Sequence, residues 1–271
     1  MFAYNHADSS GENMQLAEER RQSIIEAVER EGRVLAAELA QRLDTSEDTI
    51  RRDLRELDAA GLLRRVHGGA VRRTREASFG ERVERDPARK AALAQAMCTL
   101  VRPGDTVLID AGSTNLALAR LLEDGQAATI VTNSPQLALA LGDFRRTRIV
   151  LLGGTYHAGS GAVLGAWTLA ELQQLRADLC IVGVCALDPE RGLAASDAEE
   201  ATIKAAMVTG STRRAAAILN ERLGDSAPFA FARLAELDHL VLEADAPPDT
   251  IARLRQAHPG LDLQLAPKAR T

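Results

Sequence analysis

The residues best equipped for chemistry gather between positions 46 and 75. The stretch TIRRDLRELDAAGLLRRVHGGAVRR, residues 49–73, carries Arg51, Arg52 and Arg55, then Arg64, Arg65, Arg72 and Arg73. From Gly61 to Arg75 there is no carboxylate at all. A guanidinium is a planar fork of donors that grips phosphate oxygens, or O6 and N7 of guanine, at two points. The chain as a whole has a net charge of −5, so a general affinity for polyanions is not expected. The basic chemistry is local. From Glu18 to Lys90 there are 17 Lys+Arg against 16 Asp+Glu, whereas from Ala91 onward there are 16 against 20.

A second set of polar residues follows apolar runs of strand length. VLIDAGSTNLALARLL places Asp110, Gly112, Ser113 and Thr114 between a strand and a helix. A glycine for close approach, two hydroxyls and free amides at a helix start make a generic anion site, at the strand end where α/β proteins bind ligands. VTNS (Thr132, Asn133, Ser134) and LLGG (Gly153, Gly154) end the next two strands and are expected to line the same edge. Any one of them alone reads as an ordinary cap or tight turn; three in succession point to a ligand edge. In SDAEEATIKAAM, Glu200 and Lys204 are four residues apart, share a helix face and are expected to pair.

These groups need elements to hold them. Residues 14–31 read as a helix with Ile24, Ile25 and Val28 on its apolar stripe, stopped by Gly32. VLAAELAQRL reads as a second helix, with Leu35, Leu39 and Leu43 four apart. Ser46 is an N-cap, with Glu47 and Asp48 in the first turn of a third helix that ends at Gly61. On that helix, at 100° per residue, Ile50, Leu54 and Leu57 centre on one side, while Arg52 lies about 190° away, flanked by Asp48 and Arg55, with Thr49 and Arg51 on the shoulders. Asp53 falls near the core side, which fits a structural role such as orienting an arginine. LLRRV and AVRR around His67, Gly68 and Gly69 read as a hairpin with a glycine turn. His67 reads as a turn residue. Three helices and a hairpin make a winged helix-turn-helix, with arginines facing out as a major groove requires and a glycine tip able to approach a phosphate backbone closely.

After this region the texture changes. DTVLID, ATIVTN, RIVLLGG, DLCIVGV, RAAAILN and HLVLEA alternate with NLALARLLED, PQLALALGD, TLAELQQLR, EATIKAAMV and DTIARLRQA. Apolar strands alternating with helices predict an α/β domain, a doubly wound, largely parallel sheet. The expected organisation is a disordered N-terminus over 1–13 and a winged helix-turn-helix over 14–73, with its wing over 62–73. A linker over 74–90 and an α/β sensing and oligomerisation domain over 91–271 complete it.

Composition excludes several classes. The chain is 46% hydrophobic with only 3% aromatics, so its core is built from aliphatic residues. Three cysteines (Cys98, Cys180, Cys185) are too few for a disulfide framework and read as interior reduced thiols. No CxxC or HxxxH spacing points to a metal, and no cofactor is expected. There is no basic n-region followed by an apolar h-region, and no run of 18 apolar residues, so neither a signal peptide nor a membrane span is expected. The expected location is the cytoplasm, and the bacterial nucleoid when DNA is bound.

TSEDTIRRDLRELDAAGLLRRVHGGA resembles the signature of the DeoR family of bacterial transcriptional regulators almost residue for residue. The likeness includes the Ser-x-x-Thr-Ile-Arg-Arg-Asp-Leu core and the His-Gly-Gly-Ala wing, and it continues through nearly everything after residue 17. It implies a helix-turn-helix over Val34–Asp53 and a sugar-phosphate-isomerase-like sensor domain that binds a phosphorylated sugar or polyol without turning it over. It implies a repressor, homodimeric or homotetrameric, released from operator DNA by its effector. It puts Asp197, Glu200, Lys204 and Arg222 at the ligand edge. One stretch departs. Where the family carries Asp-x-Ser-Lys-Phe-Gly, this chain has LNERLG, with Leu219 for the Asp, Glu221 for the Ser and Arg222 for the Lys. An atypical effector, or weaker binding of the usual one, is expected. Two rivals stay open on sequence alone: a sugar-phosphate isomerase with Glu200 and Lys204 as its acid–base pair, and a module that binds another protein through its front helices.

Overall fold

The computed structural model describes residues 9–60, 62–66, 68–72, 77–225 and 227–269, which divide into two units at Glu76 and Ala77. His67 and residues 73–76 lie outside the described residues, as do the side chains of Arg64 and Arg72.

The N-terminal unit runs α1 (Ser9–Glu31), β1 (Arg33–Leu35), α2 (Ala36–Arg42), α3 (Glu47–Ala59), β2 (Leu63–Val66) and β3 (Gly69–Arg72). Ile24 and Val28 of α1, Leu39 of α2 and Ile50, Leu54 and Leu57 of α3 close one core with Leu63 and Ala70 of the hairpin. Two expectations are corrected. Helix α1 begins at Ser9, ahead of the expected start at residue 14. The second helix does not begin at Val34: residues 33–35 form a strand that pairs antiparallel with β3, Val34 opposite Ala70 and Leu35 opposite Gly69. Leu35 is therefore not on the apolar stripe of α2, and it is 38% exposed. The sheet order is β1-β3-β2.

In the C-terminal unit, α4 (Phe79–Glu84) and α5 (Pro87–Cys98) lead into β4 (Thr106–Ile109), α6 (Ser113–Ala119), β5 (Thr129–Thr132), α7 (Pro135–Ala140) and β6 (Arg148–Leu151). A hairpin of β7 (Thr155–His157) and β8 (Ala162–Leu164) precedes α8 (Ala166–Gln174) and β9 (Ala177–Ile181). Then come β10 (Ala186–Asp188), β11 (Gly192–Ala195), α9 (Ala198–Thr209), β12 (Ser211–Ile218), β13 (Phe229–Ala232), β14 (His239–Leu242), α10 (Pro248–Ala257) and β15 (Asp262–Leu265). The segment expected to link the two domains, 74–90, is from residue 77 a folded part of this unit: Phe79 and Lys90 are buried.

Seven strands form one parallel sheet in the order β15-β14-β12-β9-β4-β5-β6. The α/β expectation, a doubly wound parallel sheet, holds, and alternation within single strands shows why. Val107 and Ile109 of β4 face a core with Leu93 and Met97 of α5, Leu118 of α6 and Leu137 of α7. Leu108, between them, faces the other core, with Leu172 of α8, Ile203 and Met207 of α9 and Leu254 of α10. From β4 the chain proceeds to β5 and β6 on one side, then crosses to β9, β12, β14 and β15 on the other. The order therefore reverses at β4 and β9, where such sheets open a crevice at their carboxyl ends.

Candidate functional site

On α3 the apolar triad Ile50, Leu54 and Leu57 is buried, and Arg51, Arg52 and Arg55 are exposed. Ser46 caps the helix, its hydroxyl accepting from the Thr49 amide at 3.1 Å and meeting the Thr49 hydroxyl at 2.8 Å. Both hydroxyls thus serve the cap first. Arg51 pairs with Glu47 at 2.6 Å and lies 3.8 Å from Asp48. Arg55 donates to the Arg51 carbonyl at 3.2 Å. Arg52 is the least committed, with a side chain 77% exposed and Glu56 only at 3.6 Å. A helix held by three aliphatic residues thus presents three guanidinium groups to solvent. Such surface ion pairs contribute little and are readily exchanged for phosphate or base contacts.

Asp53 is buried on the inner side of the same helix. It accepts from Nε of Arg20 at 2.6 Å and of Arg21 at 3.3 Å, so it ties α3 to α1. The arginines it orients belong to α1.

The hairpin turns between Val66 and Gly69, which are paired across β2 and β3. Gly68 is exposed at φ +80°, a left-handed conformation glycine adopts without strain. Gly69 has a different reason to be glycine. A Cβ there would lie 2.0 Å from the Val34 carbonyl oxygen. The expectation that both glycines let the tip approach a ligand backbone is therefore corrected for Gly69, which is buried so that β3 can lie against β1. The Ala36 amide completes the bond by donating to the Gly68 carbonyl at 2.8 Å. Arg65 is exposed, and its main-chain amide donates to Asp58 at 3.4 Å.

In the C-terminal unit, the switch point is organised by Asp110, at the end of β4 and 1% exposed. Its Oδ2 accepts from the Gly183 amide at 2.9 Å and from Lys204 Nζ, and its Oδ1 accepts from Asn133 at 3.1 Å. Lys204 also donates to the Gly183 carbonyl at 2.9 Å. Asn133 in turn accepts from the Ala111 amide at 2.8 Å. Burial alone would push the Lys204 ammonium below its ordinary value, but the Asp110 carboxylate outweighs that, and its pKa is raised. The direct ion-pair partner of Lys204 is Asp110, with Glu200 adding a further attraction to the ammonium; Glu200 also lies 3.9 Å from His157 of β7.

Gly112, Ser113 and Thr114 are half-exposed at the start of α6, with Gly112 at φ +154° and no side chain capping the helix. Thr132 and Ser134 are fully buried and used internally: Thr132 Oγ1 accepts from the Ser134 amide, and Ser134 caps α7. Gly153 is tied by its amide to Glu171 at 2.8 Å and by its carbonyl to Thr168 at 2.6 Å. A Cβ at Gly154 would sit 2.2 Å from Thr168 Oγ1, so Gly154 serves packing against α8. Asp197 caps α9, accepting from the amides of Glu199 and Glu200 at 2.8 and 3.1 Å. Arg222 is half-buried in a 3-10 turn after β12, one strand beyond β9.

Asn115 and Gly183 belong to this cluster and escaped the sequence reading. Asn115 donates to the carbonyls of Asp110 at 2.9 Å and Ile181 at 3.3 Å, joining β4 to β9. Gly183 lies so close that a Cβ would stand 2.7 Å from the Ala111 carbonyl oxygen. A lone glycine in an apolar strand run is the signal that marks such an approach.

The departing stretch has its own partners. Glu221 lies 3.2 Å from Arg89 of α5, which makes a two-point contact with Glu243 at 2.6 Å for each bond. Leu219 packs on the α5 side of the sheet. Nearby, Arg82 of α4 donates to the carbonyls of Gly159 at 3.1 Å and Ser160 at 3.2 Å in the β7–β8 turn. Val163 of that hairpin donates its amide to the Asn133 carbonyl at 2.7 Å.

No helix among the described residues is long and apolar enough to cross a membrane. Comparison with known proteins agrees with the geometry. Residues 20–76 match the model described as the DeoR-like helix-turn-helix domain, and residues 85–244 match the DeoR C terminal sensor domain. The chain is 32% identical over 246 residues to the HTH-type transcriptional regulator GlpR of Haloferax volcanii, covering 89% of this chain and 96% of that one. It is 28% identical over 228 residues to the HTH-type transcriptional regulator GolR of Listeria innocua, covering 83% and 90%. It is 29% identical over 247 residues to the glycerol-3-phosphate regulon repressor of Escherichia coli K12, covering 90% and 98%. With both of its units matched in order and relatives aligned over nearly their full length, the chain belongs to the DeoR family of transcriptional regulators.

Proposed function

We propose that the protein is a cytoplasmic repressor of a sugar or polyol operon, acting as a dimer or tetramer on operator DNA and released by a phosphorylated sugar or polyol. The observation that carries the reading is the outward stance of Arg51, Arg52 and Arg55 on a helix whose opposite side is buried. In this reading Arg52 reads a base edge, with Asp48 and Arg55 beside it. Ser46, Thr49 and Arg51, together with Arg64, Arg65, His67, Gly68 and Arg72 of the wing, position the phosphate backbone. Repression and the phosphorylated effector come from relatives, one of them a glycerol-3-phosphate regulon repressor.

The effector seats at the switch point, over Gly112, Ser113 and Thr114 and beside Asp110, Asn133, Asp197, Glu200 and Lys204. Thr132, Ser134, Gly153 and Gly154 shape the edge from behind, and Arg222 borders it. The site is a sensor without turnover: an ammonium bound to Asp110, with its pKa raised, is a poor base at neutral pH. Glu221, engaged by Arg89, and Leu219, packed on the core, leave this stretch without the hydroxyl and carboxylate that the family pattern supplies, so the ligand differs from the usual type. Residues 77–90 carry the signal toward the DNA unit, since Arg82 holds the hairpin that also touches Asn133. Release requires that the effector bind the DNA-free arrangement more tightly than the DNA-bound one.

The test is fluorescence anisotropy on DNA from the protein's own promoter, with glycerol 3-phosphate and a panel of pentose, hexose and polyol phosphates. A thermal-shift screen with the same compounds runs beside it. Sequence-dependent binding that one phosphate reverses is the expected result. DNA binding without sequence preference, or turnover of a sugar phosphate, would overturn the reading.

A further inference from the structure

Among the described residues, the four most exposed large apolar side chains of the C-terminal unit flank one edge of the sheet, while Leu121, Phe229 and Leu265, less exposed, lie elsewhere. Strand β6 ends the sheet, and among the described residues no strand pairs with its outer side. The amides of Arg148 and Leu152 donate inward to the Ala128 and Thr132 carbonyls at 3.0 and 2.9 Å. By alternation, the main-chain groups of Ile149 and Leu151 point away from the sheet. An exposed edge in a protein that stays alone is usually blunted by a charge, a proline or a bulge. In β6 only Arg148, at the start of the strand, is charged; Ile149, Val150 and Leu151 supply no charge, proline or bulge. Around them Leu139 is 81% exposed, Trp167 75%, and Leu151 and Tyr156 47% each. The four flank this edge from both faces of the sheet, α7 packing with Ile149 and α8 with Val150. Leu139 lies on α7, whose Gln136 donates to the Tyr156 hydroxyl at 2.6 Å. A Cβ at Gly153, two residues past β6, would stand 3.7 Å from the Trp167 indole.

We propose that this edge is the contact between two copies of the chain, with β6 antiparallel to β6 of the second copy and the two-fold axis at Val150. The inference rests on the reading of the protein as an oligomeric DNA-binding regulator and names the surface that such an assembly uses. A second copy is the occupant because the outward groups of Ile149 and Leu151 are self-complementary in that register, each exchanging hydrogen bonds with the other residue of the second strand. A two-fold contact of this kind closes on itself and covers the β6 edge of both copies at once. Charge permits it, since the two Arg148 residues are displaced along the strands by about 13 Å. Area permits it too. Covering the four side chains at their present exposures removes on the order of 500 Å² per copy, and strand pairing adds main-chain surface toward the roughly 800 Å² per partner of a standard interface.

Trp167 is the only tryptophan in the chain, so its emission reports on this patch alone. Sedimentation of the full-length protein without DNA is measured with tryptophan emission over the same dilution series. The expected result is a dimer whose emission is blue-shifted and moves to the red in step with dissociation. The double variant Leu139→Arg, Leu151→Arg is expected to sediment as a monomer with an unchanged circular dichroism spectrum, and to lose at least tenfold in affinity for a palindromic site. A monomer at all concentrations, or an oligomer whose indole emits as if fully in water, overturns the proposal, as does a double variant that still dimerises. The emission measurement decides even if that variant fails to fold. An oligomer that binds operator DNA with Trp167 exposed defeats the interface and leaves the functional reading standing. A dimer through this edge that ignores DNA does the reverse.

Discussion

Lys204 of α9 and Asp110 at the end of β4, 94 residues apart in the chain, form a buried ion pair at the point where the strand order reverses. Neither group is replaceable alone. Lys204→Met leaves a buried carboxylate without its cation, and Asp110→Asn leaves a buried ammonium without its ion-pair partner. Each is expected to lower stability by about 3–5 kcal/mol in denaturant unfolding, while the double variant recovers part of that loss. The ammonium's pKa is raised above its ordinary value of 10.5. A raised folded value gives stability that is whole below the unfolded pKa and lost only as pH climbs through the folded one. The difference between the parent and Lys204→Met is therefore expected to stay flat from about pH 7 to about pH 9. A single-variant loss below about 1 kcal/mol would show that water already screens the pair.

The outward arginines separate by role. Arg52→Ala is expected to cost about 1–3 kcal/mol on the specific site and to relax preference at one base pair. Arg65→Ala, in the wing, is expected to weaken specific and random DNA alike and to reduce the slope of log K against log salt by about 1. Binding isotherms at several salt concentrations on both DNAs distinguish the two. An Arg52→Ala variant that loses affinity equally on both would reassign that residue to phosphate.

What the sequence reveals here is what repeats over short range. Ile50, Leu54 and Leu57 recur at helical spacing, so the buried side of α3 and the exposure of Arg52 follow directly. The six sheet strands picked out as apolar runs are strands because both of their faces meet helices. Strand β1 was illegible for the opposite reason. Leu35 continues the four-residue spacing of Leu39 and Leu43, and only pairing with β3, more than thirty residues later, makes it a strand. For Lys204 the short-range pattern supplies only the secondary partner. The local rule offers Glu200 one turn away, whereas the partner it takes is set by the crossing of the chain at β4 and β9. Asp53 reads as structural because its angle on the helix falls beside the core, yet nothing local says that its arginines lie on α1.

The two glycines of the wing are expected to respond differently. Gly69→Ala places a methyl against the Val34 carbonyl, so β3 must leave β1. A loss of about 1–3 kcal/mol is expected in the N-terminal unit, with DNA affinity falling alongside it. Gly68→Ala meets no atom within 4 Å and carries only the strain of φ +80°, about 1–2 kcal/mol. Hydrogen exchange of β1 amides reads the difference: faster in Gly69→Ala, unchanged in Gly68→Ala.

Arg89 holds Glu243 and Glu221, two carboxylates of unequal burial, with Asp86 a third at 3.6 Å, and the inequality of the first two sets the last expectation. The Glu243 side chain is 7% exposed and bound at two points, whereas that of Glu221 is 38% exposed and bound at one. A buried carboxylate stripped of its cation is far costlier than a surface pair. Arg89→Met is therefore expected to destabilise the C-terminal unit by about 3 kcal/mol or more, and Glu221→Gln by less than about 1 kcal/mol. The same Glu221→Gln leaves Nη1 of the guanidinium with Asp86, at 3.6 Å, as its nearest remaining carboxylate. If Arg89 then becomes available to an anion, the thermal shift with a sugar phosphate should grow in Glu221→Gln relative to the parent. An equal stability loss in both variants would mean that Glu221, rather than Glu243, fixes Arg89 against β12 and β14.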